Sequence, residues 1–93
     1  MKTRYSNPWF KGVDSDGKPN SIGPEFYESD SEPVKWYDCL IYERQEFGYT
    51  IFDVVLDGMC VTQRASINGA KQAIENREWE QRDWWQRMKG IVA

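Results

Sequence analysis

Asp57-Gly58 is the local signal that most narrows the fold. Both central residues of a type I′ turn need positive φ, and Asp-Gly supplies that at low cost. It lies between two runs of strand formers, Phe47–Leu56 and Met59–Arg64. A third such run, Val34–Glu43, precedes them across the polar connection Arg44-Gln45-Glu46. Three runs with connections this short predict an antiparallel meander over residues 34–64.

A helix is predicted next, over residues 66–89. Ser66 is a good N-cap, and Ala70, Lys71, Gln72 and Ala73 are strong helix formers. Glu78–Arg82 and Asp83–Arg87 are i,i+4 pairs with the acid first, and Gly90 is a natural stop. An unbroken helix of that span is ~36 Å long. Stepping 100° per residue puts Ile67, Ala70, Ala73, Ile74, Trp84, Trp85, Met88, Ile91 and Val92 in one apolar sector. Trp79 falls roughly 120° from Ile67, on the polar face with Asn68, Asp83 and Gln86.

Residues 1–33 carry all four prolines and read as an irregular arm rich in turn residues. Trp9, Phe10, Ile22, Phe26 and Tyr27 punctuate it, so it is expected to wrap the domain rather than stay disordered. Tyr5–Phe10 is a candidate short strand. Alternation in the second run puts Phe52, Val54 and Leu56 on one side and Tyr49, Ile51 and Val55 on the other. Both sides are apolar. One faces the helix, and the other needs the arm or a second chain, so a homodimer is one way to cover it. The predicted fold is therefore α+β in one domain. A three-stranded meander, with room for a fourth N-terminal strand, packs on one long C-terminal helix beside an irregular arm.

The chemistry is sparse. The 93 residues contain no histidine, which removes the commonest general base and the usual pH switch. Asp38, Asp53, Glu43 and Glu46 are carboxylates on or beside strands, but nothing in their spacing makes a hydrolase pair. Asp14-Ser15-Asp16-Gly17 with Glu25 has the outline of a calcium loop, yet Lys18 and Pro19 stand where a ligand and the turn glycine belong. Cys39 and Cys60 lie on the first and third runs and are expected to be small core residues. No catalytic residue, metal ligand or cofactor signature emerges, and the expectation is a non-enzymatic protein that needs no cofactor. No run approaches a membrane span, and the cytoplasm is the expected location.

What remains is a surface. Net charge is −3, which disfavours phosphate binding. Glu25, Glu28, Asp30 and Glu32 form an acidic stretch with no base inside it. Three of the five tryptophans fall within Arg77–Arg87, and tryptophan is enriched where proteins grip partners. Trp79 either packs under the N-terminal arm or stands as an exposed anchor; as an anchor it joins Glu25, Glu28, Asp30 and Glu32 as the expected partner-binding set.

Two resemblances bear on function. Phe52–Val61 followed by Ser66–Ile74 is similar in order of turn, strand and Ala-rich helix to AP2-type and integrase arm-binding domains. That implies a small DNA- or RNA-binding module whose sheet offers cations to a groove. Here the strands offer Lys35, Arg44 and Arg64 among several acids, so no residue is carried over. The whole chain also resembles the small accessory proteins of tailed phages and prophages, anti-CRISPR inhibitors among them. Its size, acidic balance and aromatic density carry that likeness. It implies an inhibitor or modulator that occupies the surface of a host protein or nucleic-acid-processing complex.

Overall fold

The computed structural model describes residues 2–7 and 26–90. Among the described residues six strands occur in chain order: β1 (Thr3–Ser6), β2 (Phe26–Ser29), β3 (Val34–Trp36), β4 (Cys39–Glu46), β5 (Tyr49–Leu56) and β6 (Met59–Arg64). They form one mixed sheet in the order β2-β1-β6-β5-β4-β3. Helix α1 (Ile67–Asn76), a 3-10 turn (Glu78–Gln81) and helix α2 (Asp83–Met88) follow.

This corrects the expected fold in four ways. The sheet has six strands rather than three or four, and the β1–β6 bridge, Ser6 opposite Met59, is parallel. The expected first strand is interrupted at Tyr37-Asp38 and becomes β3 and β4. Arg44–Glu46, read as a connection, is instead the end of β4, and the turn falls at Phe47-Gly48. The antiparallel β4–β5–β6 segment and its Asp57-Gly58 turn, with φ of 53° and 77°, follow the sequence pattern.

The long helix is the fourth correction. Ser66 caps α1 as its sequence indicates, its hydroxyl accepting from the Gly69 N–H at 3.1 Å. Gly69 also fits a tight spot, since a Cβ there would meet Ser66 Oγ at 3.1 Å. But α1 ends at Arg77, which turns left-handed at φ 49° and ψ 46°. That conformation costs a non-glycine residue ~1–2 kcal/mol. In return the chain swings Trp79 inward until it is 1% exposed. Burying the ~150–250 Å² of an indole is worth about 4–6 kcal/mol at ~25 cal/mol/Å². The break therefore wins over a continuous helix that would leave Trp79 in water.

Each face of the sheet carries its own core. On the helix side, Cys39, Ile41, Val54, Leu56 and Val61 pack with Ala70, Ile74, Trp79 and Trp85, and Trp84 lies against them partly buried. The expected core roles of Trp84 and Trp85 fit this. On the other side, Tyr5, Tyr27, Tyr42, Val55 and Cys60 pack together. Tyr5 stacks on Tyr42 with ring centres 5.2 Å apart, and Tyr27 meets Tyr5 edge-on at 6.3 Å. The second apolar face is thus covered by β1 and β2 of the N-terminal segment. Side chains tie that cover down where β3 no longer pairs with β4. Ser29 Oγ donates to the Glu43 carbonyl at 2.6 Å, and the Glu43 N–H donates to Ser31 Oγ at 2.9 Å.

Cys39 and Cys60 are free thiols, both 0% exposed, and belong to the cores on opposite faces. Burial, and then the neighbouring Asp38 carboxylate, push the Cys39 thiol up to about 12. The thiolate is the reactive form. A thiol reagent such as DTNB is therefore expected to leave native protein unlabelled over minutes and to label both cysteines in denaturant. Rapid labelling of the native state would contradict this packing.

Candidate interaction surface

A buried polar cluster centres on Asp53, which is 0% exposed. Its position in β5 puts the carboxylate on the same side as Val55, under the cover of β1 and β2. The β5–β6 register shifts at Val54/Val55, so Gln63 rather than Thr62 stands opposite Asp53. Gln63 Nε2 donates to Oδ1 at 2.9 Å, Tyr5 OH to Oδ2 at 2.5 Å, and Arg44 Nε to Oδ2 at 2.7 Å. Arg44 Nη1 also reaches Glu46 Oε2 at 2.5 Å, and its guanidinium lies 3.7 Å from the Tyr27 ring centre. Burial, then the bond to Asp53, raises the Tyr5 phenol above its ordinary range. Burial alone would lower Arg44, but its bonds to Asp53 and Glu46 raise it overall. These donors come from β1, β4 and β6 to a carboxylate on β5, so the cluster works as a buried staple between the four strands.

The other strand carboxylates are dispersed. Asp38 sits in the β3–β4 turn and accepts from Arg77 Nη1 at 2.6 Å, a bond that holds its carboxyl below the usual range. Arg77 also bonds Glu80 and lies over the Trp79 ring, 4.8 Å from its centre, which fixes the helix break in place. Glu43 is exposed on β4. Among the described residues, no group of three His, Cys, Asp or Glu is placed to hold a metal ion. Among the same residues, no helix is long and apolar enough to cross a membrane.

The outer surface shows a feature the sequence pattern concealed. Phe47 and Gly48, with φ of 50° and 81°, make the two-residue turn between β4 and β5. That is the geometry Asn-Gly or Asp-Gly favours, and the neighbouring hairpin does use Asp57-Gly58. A phenylalanine in this position carries backbone strain of ~1–2 kcal/mol. It is also 92% exposed, and Tyr49 one residue past the turn is 74% exposed. Tyr37, at φ 56° and 68% exposed, holds a similar place at the opposite end of β4. The tip itself is rigidly framed: Glu46 pairs with Tyr49, and Gln45 Nε2 donates to Thr50 Oγ1 at 2.8 Å. Phe-Gly lacks the Asx residue that marks such turns, so Phe47 reads in the sequence as the start of a strand.

The expected partner-binding residues separate. Trp79 is buried in the helix-side core rather than displayed on a polar face, which corrects its expected placement. The helix break described above is the physical reason. It lines one wall of a cleft of about 320 Å³ together with Val61, Thr62, Arg64, Glu78, Arg82 and Trp84. The indole N–H of Trp79 is buried and has no hydrogen-bond partner among the described residues. Glu28, Asp30 and Glu32 are exposed at the end of β2 and in the link to β3. Glu25 lies outside the described residues, as do Asp14–Asp16 with their calcium-like spacing, Trp9, Phe10, Ile22, Ile91 and Val92.

Comparison with family models, with curated proteins and with solved structures finds no match. The surface geometry alone therefore carries the functional argument.

Proposed function

We propose that this chain is a non-enzymatic protein-binding module that grips a partner with the tip of the β4–β5 hairpin. The observation that carries the reading is Phe47: a large apolar side chain, almost fully exposed, held at a backbone position that asparagine or glycine would occupy with less strain. Strain kept at an exposed aromatic points to use of that side chain. Tyr49 enlarges the anchor, and aromatic residues in a rigid frame are typical interface hot spots. The resemblance to phage accessory proteins fits this mode of action, which would be occupation of a host protein's surface in the cytoplasm.

The nucleic-acid alternative draws less support. Arg44 is turned inward to Asp53 with its side chain 9% exposed, and Arg64 is ion-paired with Glu78. The sheet face opposite the helix, which an arm-binding domain would lay in a groove, lies under β1 and β2.

A photo-crosslinking benzoylphenylalanine at position 47 tests the proposal, with the same group at the exposed helix residue Gln72 as reference. Expressed in the source cell, the first is expected to give a discrete protein adduct and the second none. Phe47→Asn separates binding from folding. It relieves the turn and is expected to raise stability by ~1 kcal/mol, or ~4–8 °C in Tm. The same change should weaken partner capture at least ~30-fold, the loss of a ~2 kcal/mol hot spot. No adduct at position 47, or undiminished capture by Phe47→Asn, would overturn the reading.

A further inference from the structure

We infer that the hairpin tip docks a lysine- or arginine-bearing segment of a partner protein, apolar side chains against Phe47 and Tyr49 and cations against the carboxylates beside them. The inference rests on the binding role proposed for the tip and adds the partner's chemistry.

The fold brings two remote stretches of acid to the flank of that tip. Ser29 and Ser31 tie the end of β2 to the backbone of Glu43, so the acids around them gather along the outer edge of β4. Glu28, Asp30 and Glu43 then border one hollow of about 440 Å³ whose wall also includes Gln45. Gln45, two residues before Phe47, is the lining residue nearest the tip in the chain, so the hollow lies on the same end of β4 as the aromatics. Glu46 stands opposite Tyr49 in the β4–β5 register, but Arg44 already holds its carboxylate, so the anions offered to a partner are Glu28, Asp30 and Glu43.

Among the described residues, the cations at this flank are Arg4, opposite Glu28 in the β1–β2 register with its guanidinium 4.2 Å from the Phe26 ring centre, Lys2 and Arg44. Lys2 lies 3.9 Å from Glu28, with both side chains about half exposed or more (62% and 49%). Exposed pairs of this kind are weak, typically well under ~1 kcal/mol, and a partner's cation can compete with it. Arg44 borders the hollow, but its guanidinium is spent on Asp53 and Glu46. The surface offered around Phe47 and Tyr49 is therefore apolar at the centre and anionic along one side. Complementary charge at such a rim steers association and selects partners. A phosphate backbone would be repelled from it, whereas an extended segment alternating apolar and basic side chains matches both halves.

Fluorescence anisotropy with labelled model probes tests this: an alternating lysine–leucine heptapeptide, the glutamate–leucine counterpart, and a short random DNA duplex, all at low salt. The lysine–leucine probe is expected to bind, and the other two are not. Its affinity should fall about tenfold in the combined Glu28→Gln, Asp30→Asn, Glu43→Gln variant, and by a similar factor on raising salt. These exposed residues leave the buried Asp53 cluster intact, so the variant is expected to fold. Phe47→Asn should weaken the same probe while raising stability. Unchanged binding by the charge variant, or preference for the glutamate–leucine probe or the duplex, overturns the basic partner. If adducts at position 47 persist in that case, the tip remains a binding site and only the partner's chemistry falls. Loss of the adducts as well would overturn the site itself.

Discussion

Asp53→Ala should cost this domain a large share of its stability, about 3–5 kcal/mol. The substitution removes the acceptor for Tyr5, Arg44 and Gln63 at once, and Arg44, with its side chain 9% exposed, keeps its charge inside. Breaking a buried pair by deleting one partner costs ~3–5 kcal/mol. A domain of this size has ~5–10 kcal/mol in total. Glu46 stays bonded to Arg44 and offsets a part of the loss. Urea unfolding followed by circular dichroism is the measurement. The double variant Asp53→Leu, Arg44→Met removes both charges and should regain much of the stability, because neither ion is left stranded. A loss below ~1 kcal/mol for Asp53→Ala, or a double variant no better than the single, would show that the cluster does not hold β1 and β2 on the sheet.

Trp79→Ala has the second large effect, a destabilisation of ~3–5 kcal/mol. A tryptophan displayed on the polar face of a helix would lose at most ~0.5 kcal/mol on the same change. The experiment thus discriminates between the placement expected from helical periodicity and the buried one. Trp79 meets Trp85 edge-on at 6.5 Å, and Trp85 meets Trp84 at 5.9 Å, so the near-ultraviolet dichroism of this aromatic chain should also change. Partner capture through position 47 is expected to survive in the fraction that remains folded, since Trp79 belongs to the helix-side core and not to the hairpin tip. A near-neutral stability effect would return Trp79 to the surface.

Part of this architecture was legible without coordinates. Asp57-Gly58, the β5 and β6 runs and the Ser66 cap are local signals, settled within a few residues by turn and capping chemistry. The need to cover both sheet faces was also legible, because Phe52, Val54 and Leu56 alternate with Ile51 and Val55. The Phe47-Gly48 turn was not, since phenylalanine is a strand former and its left-handed backbone is tolerated only in the folded hairpin. The acidic stretch was visible as composition, but its junction with Glu43 depends on two serine hydroxyls reaching across to β4.

The helix break shows the same division at larger scale. Helix propensity, i,i+4 pairs and the absence of proline all favour continuing past Asn76. Those local preferences are worth a few tenths of a kcal/mol each, while burying one indole is worth several. The burial exists only because the sheet presents a face for Trp79 to fill, with Asp38 on a distant turn to hold Arg77. By itself the sequence determined the Asp57-Gly58 turn, the Ser66 cap and the alternation that demands two covers, because those depend on neighbours in the chain. Only the tertiary structure decided which tryptophan is buried, where Asp53 finds its donors and which aromatic is left in water. Those outcomes depend on contacts between residues far apart in the chain, and their energies exceed the local preferences they override.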